Sequence, residues 1–433
     1  MLVQPHRSSL PPGPRTPAAV NTAKLAMRPI ESLLAWHERY GDVVTVPFLI
    51  FGPGVYVADP DAIREMYTGD QSDMHAGGAN AVLSPAVGDH SVLVLDGPEH
   101  LRHRRLLLPP LKGAAVHSSR EIIRDVAEAE VARWRTGERF SMRERMRTLT
   151  FEVIARIVFG VTEPGRIAQL HRALTALLDS TSLLMLPTPL RRDLGRFSPW
   201  GRFARLRQRA DELVYEEIAL RRLQAGDHQG DVLSLLLEAR DEEGRPLTDA
   251  ELRDELMTML LAGHETTATA LAFAFDLLLH NPAPLARLRD DLDDDRYLEA
   301  VVTESLRMRP VIDAAQRILQ RPRVIAGHEI PAGVRVYPNI VATHYREDLH
   351  PEPRMFRPER FLDGRSATVW MPFGGGIRRC IGAALAEAEM AVVLRTVLAR
   401  VELQAVRPRL DPVVMRGVTL VPRHGAQVEV RGC

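Results

Sequence analysis

Three stretches of the chain carry residue types whose spacing can support chemistry. The first is Phe373-Gly374-Gly375-Gly376-Ile377-Arg378-Arg379-Cys380-Ile381-Gly382. Its glycines let the backbone turn tightly and approach another group closely. A cysteine just ahead of a helix sits where the helix dipole and free N–H groups favour a thiolate, and Arg378 adds positive charge. Such a thiolate serves as a nucleophile or a metal ligand. A nucleophile needs a base, and no histidine lies near it in sequence; a buried structural cysteine is the third reading. The second stretch is Ala262-Gly263-His264-Glu265-Thr266-Thr267, flanked by Leu256–Leu261 and Ala268–Phe275, which are apolar nearly all round. A carboxylate there is costly unless paired or hydrated. Gly263 leaves room beside the helix for a flat ligand or waters, and Thr266 either bonds back to the preceding turn or offers its hydroxyl to a ligand. Glu265 and Thr266 are therefore a proton-delivery pair or a satisfied polar pair in a kinked helix. The third stretch, Glu304-Ser305-Leu306-Arg307, puts opposite charges on one helix face. A buried pair of this kind needs a further partner, which Arg360 can supply.

These residues must be positioned by a mainly helical framework. The pattern predicts helices over Pro29–Tyr40, Ser118–Trp134, Arg143–Phe159, Leu170–Leu186, Trp200–Leu223 and Arg296–Met308, and a last one from just after Cys380 to near Val401. Asp59-Pro60 opens another. Thr248-Asp249-Ala250-Glu251 reads as a capping box opening a long helix that ends at His280, before Asn281-Pro282. Short strands are expected at Val43–Val46, Val55–Val57, Ile318–Leu319, Val324–Ile325 and Gln427–Val430. Thr68–Val92 lacks periodicity and reads as one long loop, of the kind that is functional or disordered. The Pro11-Pro12-Gly13-Pro14 segment reads as an extended arm over a folded body. Neither a repeat nor a linker is apparent. The expectation is one domain over 1–433, with a Pro-rich arm at 1–28, a mostly helical part at 93–313 and a small β part drawn from 29–92 and 314–433.

Composition narrows the function. Lys+Arg and Asp+Glu both number 56, so the formal net charge is zero and no global field exists to hold nucleic acid. Hydrophobic residues at 45% and charged residues at 26% are ordinary for a globular protein. The two cysteines, Cys380 and Cys433, exclude a disulfide framework and suit a reducing cytoplasm. Lys24 and Lys112 are the only lysines, an arginine bias suggestive of a GC-rich bacterial genome. The N-terminus has neither a signal-peptide core nor an apolar run long enough for a span.

Taken together and in this order, the three stretches resemble the cytochrome P-450 haem-thiolate monooxygenases. Phe373–Gly382 matches that family's F-x-x-G-x-R-x-C-x-G loop at every defined position. Ala262–Thr267 matches its central acid–alcohol motif, and Glu304, Arg307 and Arg360 its buried triad. The resemblance covers essentially the whole chain and implies a mainly α (α+β) single-domain cytochrome P-450 fold. It implies Cys380 as the proximal ligand of haem b iron. His100 and Arg104, in His100-Leu101-Arg102-His103-Arg104, together with Arg317 and Arg378, would hold the haem propionates. Glu265 and Thr266 would relay protons while one oxygen atom of O2 is inserted into a C–H bond or an alkene.

Electrons would come from a separate ferredoxin with its reductase, since two cysteines cannot hold an iron–sulfur cluster. The docking face would gather Arg102, Arg105, Lys112 and Arg379. Apolar Leu183, Met185, Ile312, Ala314 and Ala315 suggest a lipophilic substrate, as in secondary metabolism. Competing readings are a haem-thiolate enzyme that rearranges or dehydrates its substrate without external electrons, and a helical carrier of apolar molecules with a structural Cys380. A phosphate-binding glycine loop at Gly374–Gly376 lacks the Lys-Ser/Thr that should follow.

Overall fold

The computed structural model describes residues 10–186, 191–195, 198–223, 230–363 and 369–432. Cys433 and the side chain of Met185, which figure in the sequence reading, lie outside what the structure describes.

The chain opens with Pro12, whose carbonyl accepts from Thr45 N–H at 3.0 Å, so the arm does lie on the body. Helices α1 (Ala18–Met27) and α2 (Pro29–Tyr40) follow, and Gly41 ends α2 at a φ of 91°. Strands β1 (Val43–Phe48) and β2 (Gly52–Val57) form a hairpin with Val43 opposite Val57. Asp59 then caps α3 (Pro60–Thr68) by accepting from Ala62 N–H at 2.7 Å. The stretch expected to be one long loop contains β3 (Met74–His75), α4 (Ala76–Asn80) and α5 (Ser84–Val87). These pieces are too short to show a period. They persist through tertiary bonds such as Asp96 to the N–H groups of Gly77 and Gly78.

The helical part runs through α6 (Gly97–Leu107), α7 (Ala114–Val131), the short β4 (Arg139–Ser141), α8 (Met142–Phe159), α9 (Pro164–Asp179), α10 (Pro199–Leu223) and α11 (Val232–Glu238). The helix expected over Leu170–Leu186 starts earlier and stops at Asp179; a 3-10 turn covers Thr181–Met185. Next comes α12 (Asp249–Leu279), whose Thr248 and Glu251 form the expected capping box. Of its 31 residues 21 are buried, among them every one from Thr267 to Leu278. An apolar surface all round requires neighbours all round, and α8, α10, α14 and α16 supply them.

After α13 (Pro282–Asp290) and α14 (Asp295–Met308), the chain forms β5 (Arg317–Leu319), β6 (Arg323–Ile325), β7 (His328–Ile330), β8 (Arg335–Pro338) and α15 (Ile340–His344). It closes with α16 (Ala383–Arg400), β9 (Glu402–Ala405), β10 (Val413–Arg416), β11 (Thr419–Pro422) and β12 (Gln427–Gly432). One five-stranded sheet has the order β1-β2-β8-β5-β3, with β2 and β8 parallel. The others are β4-β12-β9, β10-β11 and β6-β7. Mainly helical, with a small β part, is therefore the observed architecture.

The buried triad is formed. Arg307 donates to Glu304 through Nε at 2.6 Å and Nη2 at 2.9 Å, and Arg360 Nε donates to the same carboxylate at 3.1 Å. The remaining guanidinium N–H groups reach the carbonyls of His344, Pro353 and Pro351. Every charge is thus both paired and hydrogen-bonded, the condition for tolerating it in the interior.

Candidate functional site

Cys380 stands between a 3-10 turn at Gly376–Arg378 and the start of α16. Its N–H donates to Phe373 O at 2.9 Å, closing the loop. The loop is moulded on the end of α3. A Cβ on Gly375 would lie 2.6 Å from the Tyr67 ring, and one on Gly376 would lie 1.7 Å from Tyr67 O. Gly376 also has a φ of 60°, so glycine is required there twice over.

The Cys380 side chain is accessible to solvent. Burial pushes its thiol up from the usual range, opposed by the Gly382 N–H and by Arg379 and Arg104. The expected thiolate stabilisation by Arg378 is not what the structure shows. Arg378 turns away, donating to Val92 O at 3.1 Å, to Leu95 O, and to Asp96 at 2.6 Å. The cations whose charge reaches the sulfur are Arg379 and Arg104.

His100, Arg104, Arg317 and Arg378 converge although they come from α6, β5 and the cysteine loop. Burial holds the His100 imidazole down to about 3, and Arg378, Arg104 and Arg317 push it the same way. Burial likewise lowers Arg104, Arg317 and Arg378, the last to about 10. Among the described residues Asp96 is the carboxylate paired with this group, and it is shared with the Gly77 and Gly78 N–H groups. Arg317 donates through Nη1 to the carbonyls of Ala315 and Gln316, while its buried Nε has no hydrogen-bond partner among the described residues.

Midway along α12 Ala262 is exposed, with Leu261, Gly263, Glu265 and Thr266 half-buried around it. Thr266 Oγ1 donates to Ala262 O at 2.5 Å, the first of the two states open to it. Glu265 does not point the same way. It is ion-paired with Arg143 and with Arg147, whose Nε lies 2.8 Å from Oε2. Arg147 in turn reaches Asp179 and Glu144, both exposed. The space expected beside Gly263 is filled: a Cβ there would lie 3.0 Å from Ile154 Cδ1, so this glycine serves the close approach of α8.

A segment above the site is fastened at both ends. Val92 N–H donates to the fully buried Glu255 at 2.8 Å, His90 N–H to Asp254 at 2.9 Å, and Thr258 Oγ1 to Ser91 Oγ at 2.6 Å. Glu255 also meets His103 Nδ1 at 2.7 Å. Arg102 is drawn into this region, bonding Asp241 and Glu251 at 2.7 Å each, and is not a free surface charge. Arg105, Lys112 and Arg379 are exposed.

Comparisons with known proteins agree along the whole chain. The family described as cytochrome P450 matches residues 10–430. The chain belongs to the cytochrome P450 family. Cytochrome P450 135B1 of Mycobacterium tuberculosis is 39% identical over 98% of this chain and 91% of its own length. Cytochrome P450 135A1 of the same organism is also 39% identical, over 98% and 95%. Among solved structures, a cyanobacterial CYP120A1 with bound retinoic acid superposes with a TM-score of 0.85 at 24% identity, covering 98% of this chain and 99% of its own. The heme domain of cytochrome P450DA does so with a TM-score of 0.85, also at 24% identity, covering 98% of each chain. The protein is thus a haem-thiolate monooxygenase that uses O2.

The residues fit haem. Three arginines, Arg104, Arg317 and Arg378, act on the neutral His100 with Asp96 as the carboxylate paired to them, and the buried Arg317 Nε lacks an acceptor. Haem brings iron for the sulfur and two propionates for the cations. The raised Cys380 thiol is no obstacle, because a thiol that coordinates a metal loses its proton outright.

Sequence reasoning missed Arg143, Arg147 and Asp96. The arginines had a signal in their four-residue spacing on an apolar helix. Asp96 reads as the helix cap of α6, yet its carboxylate bonds α4 and Arg378 instead.

Proposed function

We propose that Cys380 is the proximal ligand of haem b, and that the enzyme oxygenates a lipophilic small molecule by C–H hydroxylation or epoxidation. The observation that carries this is the Cys380 side chain, just ahead of α16, lying within reach of the charge of Arg104, which acts on His100 together with Arg378 and Arg317. His100, Arg104 and Arg317 would bind the propionates, and Arg378, whose Nη groups are engaged with Val92, Leu95 and Asp96, would add charge. When bound, haem supplies O2 activation and oxygen-atom transfer, tuned by the axial thiolate.

The chain's own contribution is proton supply and substrate placement. Thr266 holds a hydroxyl at the accessible face of α12, and Glu265 is the neighbouring acid that recharges it. The ion pairs to Arg143 and Arg147 hold that carboxylate turned aside between turnovers. Arg147, bonded also to Asp179 and Glu144, links it to the protein surface. Ile312, Ala314, Ala315 and Leu183 are half-buried and apolar, which favours a lipophilic substrate. Electrons would arrive from a ferredoxin-type donor with its reductase at the face bearing Arg105, Lys112 and Arg379, in a bacterial cytoplasm. The described helices include none long and apolar enough to cross a membrane.

The test is the reduced carbonyl complex. The parent is expected to show the strongly red-shifted Soret band of a thiolate-ligated haem and Cys380→Ser to lose it. An unchanged band in the variant would remove Cys380 from the iron.

A further inference from the structure

Tyr67 closes α3 and lies under the cysteine loop, with its ring against Gly375. It is 6% exposed, and its hydroxyl has no hydrogen-bond partner among the described residues. Its neighbour is Arg317, whose guanidinium carbon lies 5.9 Å from the ring centroid. Arg317 Nε is buried and unpartnered as well. Two unsatisfied groups thus occur together, and both can donate. Leaving a buried donor without an acceptor costs about 1–3 kcal/mol, so neighbouring instances call for a common acceptor.

The surroundings restrict what that acceptor is. A Cβ placed on Gly374 would lie 3.8 Å from Ala315 Cβ and 4.0 Å from Tyr67 Oη, so the hydroxyl borders the cysteine loop on the β5 side. Arg317 belongs with Arg104 and Arg378 to the arginines whose charge acts on His100. Burial pushes the Tyr67 phenol up to about 12, which keeps its proton in place as a donor at neutral pH. A carboxylate has oxygens enough to accept from both a phenol and a guanidinium, and charge-assisted bonds of this kind are the strong ones.

We infer that Tyr67 is a binding residue for one haem propionate, sharing that carboxylate with Arg317. The inference rests on the haem reading above and adds a donor from α3, so that the cysteine loop and the propionate are held by the same side chain.

The experiment measures haem transfer to excess apomyoglobin from the holoprotein and from Tyr67→Phe, each loaded with haem or with haem dimethyl ester. Phenylalanine keeps the ring that packs on Gly375. The variant should lose haem about tenfold faster than the parent. Both proteins should lose the ester, which carries no propionate charge, at similar rates. Equal rates of haem loss in the two proteins would overturn the inference while leaving the haem reading intact. Faster loss of haem and ester alike would assign the effect to ring packing and overturn it too. A parent that takes up no haem would bring down both readings.

Discussion

Arg147 Nε lies 2.8 Å from Glu265 Oε2, so the acid of the central helix is gripped from α8 instead of resting beside the hydroxyl of Thr266. The alcohol meanwhile is bonded to its own helix at Ala262 O. Acid and alcohol are sequence neighbours directed to different partners, and proton delivery requires at least one of them to change partner.

Removing either group should therefore harm coupling more than binding. Thr266→Ala is expected to keep substrate affinity while diverting electrons into hydrogen peroxide. Glu265→Gln should slow turnover by ~10²-fold or more, the usual worth of a positioned acid. Peroxide yield and product per electron are the measurements, and parental coupling in Thr266→Ala would exclude its hydroxyl from the relay.

Glu304→Ala leaves Arg307 and Arg360 buried without their shared carboxylate. Breaking such a group from one side costs roughly 3–5 kcal/mol. Little folded holoprotein is expected, read as soluble yield and haem content. Normal loading would show that the backbone carbonyls around the arginines suffice.

Gly376→Ala adds a Cβ 1.7 Å from Tyr67 O at a left-handed φ. Strain and overpacking together cost about 2–4 kcal/mol. The expected outcome is a lower melting temperature and weaker haem retention; parental values for both would mean that the loop rearranges freely.

Glu389 on α16 is buried, its Oε1 has no hydrogen-bond partner among the described residues, and burial raises its carboxyl to about 8. The folded state therefore binds a proton between the unfolded value of 4.5 and about 8 that the unfolded chain releases. Stability falls as pH rises through that window, because the native state takes up the extra proton. Glu389→Gln should remove the loss, so its advantage in melting temperature over the parent should be larger at pH 8 than at pH 5. A constant difference across that range would mean the carboxyl titrates normally.

Much of this molecule was readable before its fold. Local signals located α2, α8, α12 and α14 to within a residue or so, because a capping box, a glycine stop or a proline start acts within one turn. The spacing of Glu304 and Arg307 likewise located the buried triad, because partners three residues apart share a helix face. The errors occur where distant residues decide. Arg102 is claimed by Asp241, and Gly263 faces Ile154. The short elements between Thr68 and Val92 owe their existence to bonds across the fold.

Val92 is bonded to α12 through its N–H and to the guanidinium of Arg378 through its carbonyl. One peptide unit on each side thus rivets the roof of the site to both of its walls. A bulky guest cannot lift this corner without breaking a buried bond to Glu255. Relative movement of α12 and the cysteine loop should therefore be smallest at Val92, where it would break both bonds.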